Sequence, residues 1–557
     1  MENMLENVRT YFHGKMNFVA GICEKLKVSE IIENSLSKSN GRKPDIPYGT
    51  LAEMMIVNLC DSHKPLYLIQ EYYEQKDLEG IFNTQIDIEQ LNDDRFGNYL
   101  DQLYAAGPRK IFSEVSAQAF ATYGLTIKNI NYDTTSKVMW GEYESTEGKV
   151  GAISITFGHS KQKREDKKQI KMGVGVANGI IVDAKVLSGN VDDKTYNNEN
   201  LDDVDAVLER THTDKKDFYY IADSSFFTEA NILKAESKNI KFITRIPETT
   251  TLSKALIRKA LKERANAISV VFENAQKKPV KYLISEYNGE YKGNMCKFAV
   301  SYSYGLEDIK NKTILRHSKK EEEELKKYIK KYVKHNFACE ADAKKEIDEI
   351  EKLKVKKLKY HALSCYIEAE AVKKVGRPSQ KEYEKQYEYV LKFDINKDNE
   401  KIKDSIEEAC TFVLASNDLN ISGEELLREY KTQSSVEKKF QQLKSPDFIN
   451  SLYVKTPERV EALSYMLLMT MMILSVVEHV VRRKLKEENE IVIGPGKIKM
   501  VKPTLKSIVS IFHNVAVFVI KEKNMKRRIL MNPLNDSQSK IIRYLGLDET
   551  IFMGSVL

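Results

Sequence analysis

Hydrophobic and polar positions repeat with different periods along the chain and divide it into regions. Within residues 1–125, apolar residues recur at helical spacing, for example at 51–59 and 66–73. A helical N-terminal region is therefore predicted. Near Ser62 two short helices can form a helix-turn-helix, although plain helix packing explains the same pattern, since no basic recognition face stands out.

Beyond residue 126 the apolar runs become short and typical of strands. They predict strands at 129–133, 150–157, 169–187 (with a turn at Asn178-Gly179), 218–222 and 241–246, with helices at 197–209 and 227–237. The run NINYD ends in Asp133, and FYYIA is followed directly by Asp223. A single aspartate at a strand end is usually a turn or capping residue. Two of them in one α/β core, 126–249, form a candidate site.

Residues 424–444, EELLREYKTQSSVEKKFQQLK, are predicted to form one amphipathic helix. At about 100° per residue its functional side chains fall on one side: Tyr430, Gln433, Glu437 and Lys444. Such a face can bind a hard cation through Glu437 and hold phosphate through the others. A solvated helix face anchored by Phe440 is the alternative.

A second long helix is predicted at 456–486. Thr456 suits the N-cap and Pro457 the first helical position. Its apolar stretch, 462–477, is shorter than the roughly 20 residues that a membrane span needs. We therefore expect a buried helix and no membrane partner. Together, 406–486 form the predicted second part of the core, and 487–557 form a C-terminal tail.

More than 200 residues separate Asp223 from Glu437, too many for one connection within a core. An inserted domain is predicted at 250–405. It contains strand-like runs at 280–287, 298–303 and 387–394, and mixed-charge helical runs such as EEEELKKYIKKYVK.

Composition adds little to this picture. The net charge of +7, from 88 basic and 81 acidic residues, is too small to predict a polyanion partner by itself. Six cysteines without a C-x-x-C pair argue against a zinc ribbon or a disulfide framework and fit a reducing cytoplasm. The N-terminal residues show no signal-peptide pattern.

Local basic segments are more informative than the total charge. GHSKQKRED, 158–166, offers Lys161, Lys163 and Arg164 to a DNA backbone near Asp133, or forms a solvated turn. Its His159 is interpreted as a structural residue. KKVGRP, 373–378, can insert Arg377 into a narrow minor groove, or is an ordinary loop. Arg245 lies near the end of the last predicted core strand.

The spacing Y-x2-Q-x3-E-x6-K of residues 430–444 resembles the Y-R-E-K signature of bacterial insertion-sequence transposases, with Gln433 in place of arginine. The segment TPERVEAL, 456–463, resembles the end of the catalytic domain in the sixteen-thirty-four type of the insertion-sequence-four superfamily. The resemblance implies an α/β fold with a ribonuclease-H-like catalytic core, interrupted by an inserted α+β domain and flanked by helical N- and C-terminal regions.

The resemblance also implies a site and partners. Asp133, Asp223 and Glu437 would be catalytic metal ligands for two Mg²⁺ ions, with Mn²⁺ able to substitute. The residues expected to contact DNA are Tyr430, Gln433, Lys444, Lys161, Lys163, Arg164, Arg245 and Arg377. The partners would be double-stranded DNA, as terminal inverted repeats and target, and a second copy of the chain in a synaptic complex. A cytoplasmic, nucleoid-associated protein is expected.

Two other functions remain open from the sequence. One is a ribonuclease-H-like nuclease that cuts DNA without joining it. The other is a transposase-derived DNA-binding protein without catalysis, which the three acidic residues argue against. The loss of the forked charge of arginine at Gln433 leaves the details of end processing open.

Overall fold

A computed structural model of the protein describes residues 8–36, 44–141, 143, 151–273, 278–332, 335–372, 387–444, 454–522 and 525–554. The chain forms two compact units. The first comprises Met1–Thr244 and Arg428–Leu557, and the second comprises Arg245–Leu427.

Helices occur along the whole described chain. In chain order they are α1 (Gly14–Lys25), α2 (Val28–Leu36), α3 (Tyr48–Asp61), α4 (Ile69–Glu74), α5 (Leu78–Phe82), α6 (Asp93–Ala106), α7 (Pro108–Tyr123), α8 (Asp193–Arg210), α9 (Glu229–Ser237), α10 (Thr251–Lys262), α11 (Glu307–Ile329), α12 (Glu340–Leu353), α13 (Asn399–Ala409), α14 (Gly423–Lys431), α15 (Ser434–Lys444), α16 (Pro457–Glu487), α17 (Leu505–Ser510), α18 (Asp536–Tyr544) and α19 (Thr550–Met553).

Strands are most frequent in the middle of the chain. They are β1 (Val8–Tyr11), β2 (Asn129–Val138), β3 (Gln169–Ala177), β4 (Ile180–Ser188), β5 (Tyr219–Ala222), β6 (Lys241–Arg245), β7 (Ile268–Glu273), β8 (Pro279–Tyr291), β9 (Asn294–Ser303), β10 (Asn336–Phe337), β11 (His361–Ala371), β12 (Tyr387–Lys397), β13 (Thr411–Ser416), β14 (Val492–Ile493), β15 (Lys499–Met500), β16 (Val517–Glu522) and β17 (Met525–Leu530).

The first unit is built on strands in the order β4-β3-β2-β5-β6. β2, β3 and β4 are antiparallel neighbours, whereas β5 runs parallel to both β2 and β6. Helix α8 connects β4 to β5, and α9 connects β5 to β6. Every residue of β3 and β5 is buried, as expected for strands at the centre of a sheet. The mixed α/β fold predicted from the sequence is confirmed.

The predicted strand at 150–157 is wrong for the part that the structure describes. Residues 151–157 form no strand and make one isolated bridge, between Thr156 and Gln169. The predicted turn at Asn178-Gly179 is present, and both residues have positive φ, 53° and 78°. Such a two-residue turn favours a tight hairpin, in which β3 and β4 pair with each other, and β3 also pairs with β2.

Helix α16 lies at the centre of the first unit and packs against α3, α6, α7 and β4. By length and composition it is apolar enough to cross a membrane, but 94% of its most apolar window is buried inside the protein. Its N-terminus begins as predicted, with the Thr456 hydroxyl accepting a hydrogen bond from the Arg459 N–H. The burial comes from protein packing, which fits the predicted core helix.

The C-terminal tail is mixed in structure, although the sequence predicts helices. β16 pairs with both β1 and β17, so that strands from the two ends of the chain share one sheet. The alternation of buried Val517 and Val519 has the period of a strand. In the same tail, Arg528 forms a buried ion pair with Asp77, 2.7 Å between Nε and Oδ2.

The second unit contains strands β7 to β13. β13, β9, β8 and β7 are successive antiparallel neighbours, and β12 lies between β10 and β11. The predicted strand runs at 280–287, 298–303 and 387–394 all lie within these strands. The buried residues Leu325, Ala343, Ile350, Leu363 and Leu391 form a core between α11, α12 and the second sheet.

Candidate active site

The two strand-borne aspartates lie side by side. β2 and β5 are parallel neighbours whose last pair is Tyr132 and Ala222, and Asp133 and Asp223 are the residues that follow this pair in the chain. Asp133 is not at a strand end, since β2 continues to Val138. Asp223 follows β5 directly, and its carboxylate accepts hydrogen bonds from Ser225, at 3.0 Å from the backbone N–H and 2.5 Å from the hydroxyl.

A third aspartate, which the sequence did not single out, completes the group. Among the described residues, ligand oxygens of Asp133, Asp193 and Asp223 all lie within 4.8 Å of one another. Asp193 is the first residue of α8, and the preceding residue, Asp192, provides the N-cap. The Thr134 hydroxyl of β2 donates to Asp193 Oδ1 over 2.5 Å. Carboxylates brought together in this way suit a hard divalent cation.

Two lysine side chains reach this acidic group. The ammonium of Lys161 lies 2.9 Å from Asp133 Oδ1 and 3.2 Å from Asp193 Oδ2, and it also donates to the Thr134 carbonyl. Lys171 on β3 lies 3.4 Å from Asp193 Oδ1. Lys161 was predicted to contact DNA phosphate; in this structure it faces the carboxylates.

The pKa values reflect both burial and these charges. Burial raises the pKa of Asp133, with a further increase from the nearby Asp223, and this outweighs the opposing effect of Lys161. Burial also acts to raise the pKa of Asp193, but Lys161, the Thr134 hydroxyl and Lys171 together lower it below its ordinary value. Asp193 is therefore the better stabilised anion of the two.

The helix predicted at 424–444 is interrupted at Thr432 and Gln433, between α14 and α15. The Thr432 hydroxyl lies 2.6 Å from the Glu429 carbonyl and 3.0 Å from Asn131 Oδ1. A side chain that competes for a helical carbonyl disfavours continuation of the helix. Four backbone N–H groups in this stretch bond to carbonyls three residues earlier, as in a tight 3₁₀ turn: those of Thr432, Gln433, Ser435 and Val436. The predicted helical face is therefore wrong as one continuous surface.

The four predicted residues of this face consequently differ in their surroundings. Tyr430 is on α14 and half-buried, and Gln433 lies in the break, where its side-chain amide donates to the Tyr132 carbonyl over 3.4 Å. Glu437 is exposed on the first turn of α15 and is not a member of the three-aspartate group. Lys444 ends α15; burial lowers its pKa, as does the charge of Lys161, while Asp133 acts to raise it. Lys444 is thus near the acidic group.

Ion pairs that the sequence pattern did not reveal fix these helices on the first unit. The buried Glu429 of α14 accepts from Lys128 over 2.8 Å and from the Asn129 amide, both at the start of β2. On α15, the buried Lys439 lies 3.2 Å from Glu478 of α16. α15 packs against β2 and β3.

The other predicted DNA contacts are scattered. Lys163 is exposed, while Arg164 pairs with Asp166 at 2.7 Å and lies 5.3 Å from the exposed Trp140 ring. Arg245, at the end of β6, belongs to the second unit and pairs with Glu248. Arg377 lies outside the described residues.

Comparison with known families decides the identity of the chain. Residues 145–473, more than half of the chain, match the family described as "Transposase DDE domain". The chain belongs to the DDE transposase family. The protein is therefore a DNA transposase, a type of protein associated with transposition and DNA recombination. The match includes Asp193, Asp223 and Glu437 and begins after Asp133. Residues 9–117 match a domain of unknown function.

Solved transposase structures show only distant likeness to this DDE transposase. A cryo-EM structure of the piggyBac transposase synaptic complex with hairpin DNA is 9% identical, with 91% of this chain and 80% of that chain covered and a TM-score of 0.36. The Mos1 mariner paired-end complex with Mn is 13% identical over 37% of this chain and 61% of that chain, with a TM-score of 0.15. A comparison with curated proteins finds no match.

Proposed function

We propose that this transposase cuts DNA at the terminal inverted repeats of an insertion sequence and joins the freed ends to target DNA. The reactions are metal-assisted phosphodiester hydrolysis and transesterification on a ribonuclease-H-like core. The observation that carries the proposal is the side-by-side placement of Asp133 and Asp223 on parallel strands of a DDE transposase. The Y-x2-Q-x3-E-x6-K motif supports membership of the insertion-sequence-four superfamily.

The donor set fits a divalent metal. Its atoms are carboxylate oxygens, which Mg²⁺ and Mn²⁺ prefer, and the ammonium of Lys161 already places positive charge between two of them. Asp133, Asp223 and, by the family resemblance, Glu437 would hold two Mg²⁺ ions, for which Mn²⁺ can substitute. When bound, such ions activate a water or a 3′-hydroxyl and stabilise the leaving oxygen.

The remaining proposed contacts are to DNA. Lys444, Lys161, Lys163, Arg164, Arg245 and Arg377 would bind phosphates as cations, and Tyr430 and Gln433 as neutral donors. Holding two DNA ends together requires two active sites, so we propose a homodimer in a synaptic complex with double-stranded DNA. We propose a cytoplasmic, nucleoid-associated location.

Cleavage of a duplex that carries the terminal repeat, with and without Mg²⁺, tests the function. Asp223→Asn keeps a side chain that can cap the turn at Ser225 but loses the charge that the ion requires. We therefore expect the cleavage rate to fall by about a thousandfold or more, while DNA binding is retained. Full-rate cleavage by Asp223→Asn, or by the parent protein in excess chelator, would refute metal-assisted cleavage at this site.

Glu437→Gln tests the third acid separately. The side chain is exposed, so folding should be unaffected, and we expect a loss of cleavage with retained binding. Lys438→Gln, an exposed neighbour on the same helix, is the matched control and should cleave normally. Equal cleavage by Glu437→Gln and Lys438→Gln would exclude Glu437 from the site without affecting the role of the aspartates.

A further inference from the structure

We propose that Asp193 is a ligand of the divalent ion beside Asp133 and Asp223, and that Lys161 is a built-in counter-ion whose ammonium occupies the ion's place until the ion binds. The inference rests on the proposed function, since it concerns the same metal site. It adds one ligand and one competing cation to that site.

Asp193 is positioned for this role by the start of α8. Asp192 already accepts the capping hydrogen bond, from the Thr195 N–H over 2.8 Å, so the Asp193 carboxylate is not needed to cap the helix. It points instead to β2, where its oxygens contact Thr134 and come within 4.8 Å of both other carboxylates. Of the two acids next to each other in sequence, only Asp193 therefore belongs to the site.

Lys161 is the cation that can leave. Its ammonium bridges Asp133 and Asp193, and its side chain is 30% exposed, so it can swing into solvent. Its backbone would stay in place, because the Lys161 N–H donates to Ser136 Oγ over 2.8 Å. Lys171, whose side chain is 6% exposed, lacks such a path and stays beside Asp193.

The divalent ion and the Lys161 ammonium compete for the same two carboxylates. A divalent ion that binds Asp133 and Asp193 must displace an ammonium that is 2.9 and 3.2 Å from the same two residues. Breaking these ion pairs costs free energy, so the divalent ion binds more weakly than it would without the Lys161 ammonium. Removing the ammonium should therefore tighten ion binding, whereas removing a ligand should weaken it.

Mn²⁺ titration of the full-length protein without DNA, followed by the electron paramagnetic resonance signal of free Mn²⁺, measures affinity independently of activity. We expect Lys161→Gln to bind Mn²⁺ about three- to fivefold more tightly than the parent, the range for a partly exposed ion pair. Lys163→Gln, an exposed lysine of the same segment, is the matched control and should leave the affinity unchanged.

Asp193→Asn should weaken Mn²⁺ binding about tenfold or more, while Asp192→Asn, which retains a capping side chain, should not. Circular dichroism checks folding, and Lys161→Gln carries the test if Asp193→Asn misfolds. Unchanged or weaker binding by Lys161→Gln overturns the counter-ion role, and parental binding by Asp193→Asn overturns the ligand role. A parent that binds no Mn²⁺, with or without DNA, would instead refute the proposed metal-dependent function.

Discussion

Glu53 is a buried acid far in sequence from the acidic group. Its side chain lies on α3 and is 7% exposed. Burial and, to a smaller extent, the neighbouring charge of Glu24 raise its pKa to about 8, against the opposing effect of a backbone hydrogen bond from Ser29. The folded protein therefore holds a proton on Glu53 at pH values where the unfolded chain has lost it.

This proton makes stability depend on pH. The pKa of Glu53 is higher in the folded state than its ordinary value of 4.5, so its contribution is fully present below pH 4.5 and is lost as the pH rises through about 8. The loss is up to about 1.4 kcal/mol per pH unit within that window. Glu53→Gln should be close to neutral at pH 5 and raise Tm relative to the parent at pH 9.

Thermal unfolding at pH 5, 7 and 9 measures the difference, with Glu71→Gln as a control at an exposed site. A Tm difference between parent and Glu53→Gln that stays constant across this pH range would contradict the raised pKa.

The residues of the acidic group show what the sequence can and cannot predict. Asp133 and Asp223 were predictable because each accompanies an apolar strand run, a signal carried by neighbouring residues. Asp193 directly follows the N-cap Asp192 at the start of α8, and two adjacent acids at a helix start are typical of capping and of the first turn. Asp193 belongs to the site because the fold places the start of α8 beside β2. No local sequence pattern contains that information. A possible signal was Lys171, a lysine within an otherwise apolar strand.

At the scale of elements, local patterns predicted strands β2 to β6 but not the break between α14 and α15. The helical period continues through Thr432 and Gln433, so periodicity alone favours one helix. The break depends on a contact of Thr432 with Asn131 on β2, 301 residues earlier in the chain. Such contacts are invisible to a pattern of neighbouring residues.

Replacing Thr432 tests the importance of this contact. Thr432→Val keeps the shape of the side chain but removes the hydroxyl, leaving Asn131 Oδ1, on a buried side chain, without that donor. We expect a loss of about 1–3 kcal/mol of unfolding free energy, measured by urea denaturation. Cleavage should also fall, since α15 carries Glu437 and Lys444.

Thr432→Ser retains the hydroxyl and is the matched control, which should stay close to the parent. If valine and serine variants were equally stable, the hydrogen bond to Asn131 would not hold the break in place.

At the scale of the whole molecule, the long interval between Asp223 and Glu437 indicates a separate unit, and its predicted limits are 250–405. The compact unit in the structure is Arg245–Leu427. Residues 411–416 form β13, which pairs with β9 of the same unit, although the sequence groups them with the second part of the core. Pairing with a strand more than 100 residues earlier decides this boundary, and the local run TFVLAS does not indicate that partner.

The second unit should fold by itself. Its three-stranded sheet, β10, β12 and β11, pairs within the unit, and the core residues packed on that sheet come from elements of the same unit, so we expect a fragment of residues 245–427 to retain this core. We expect one cooperative thermal transition for this fragment, measured by circular dichroism.

A substitution at Ile350, which is 0% exposed in that core, tests whether the core packing stabilises the fragment. Ile350→Ala should lower the unfolding free energy by about 2–5 kcal/mol. Ile309→Ala makes the same chemical change at a side chain that is 62% exposed on α11 and should change stability by less than about 0.5 kcal/mol. A fragment that unfolds without cooperativity, or in which both alanine variants are equally stable, would show that this unit depends on the rest of the chain.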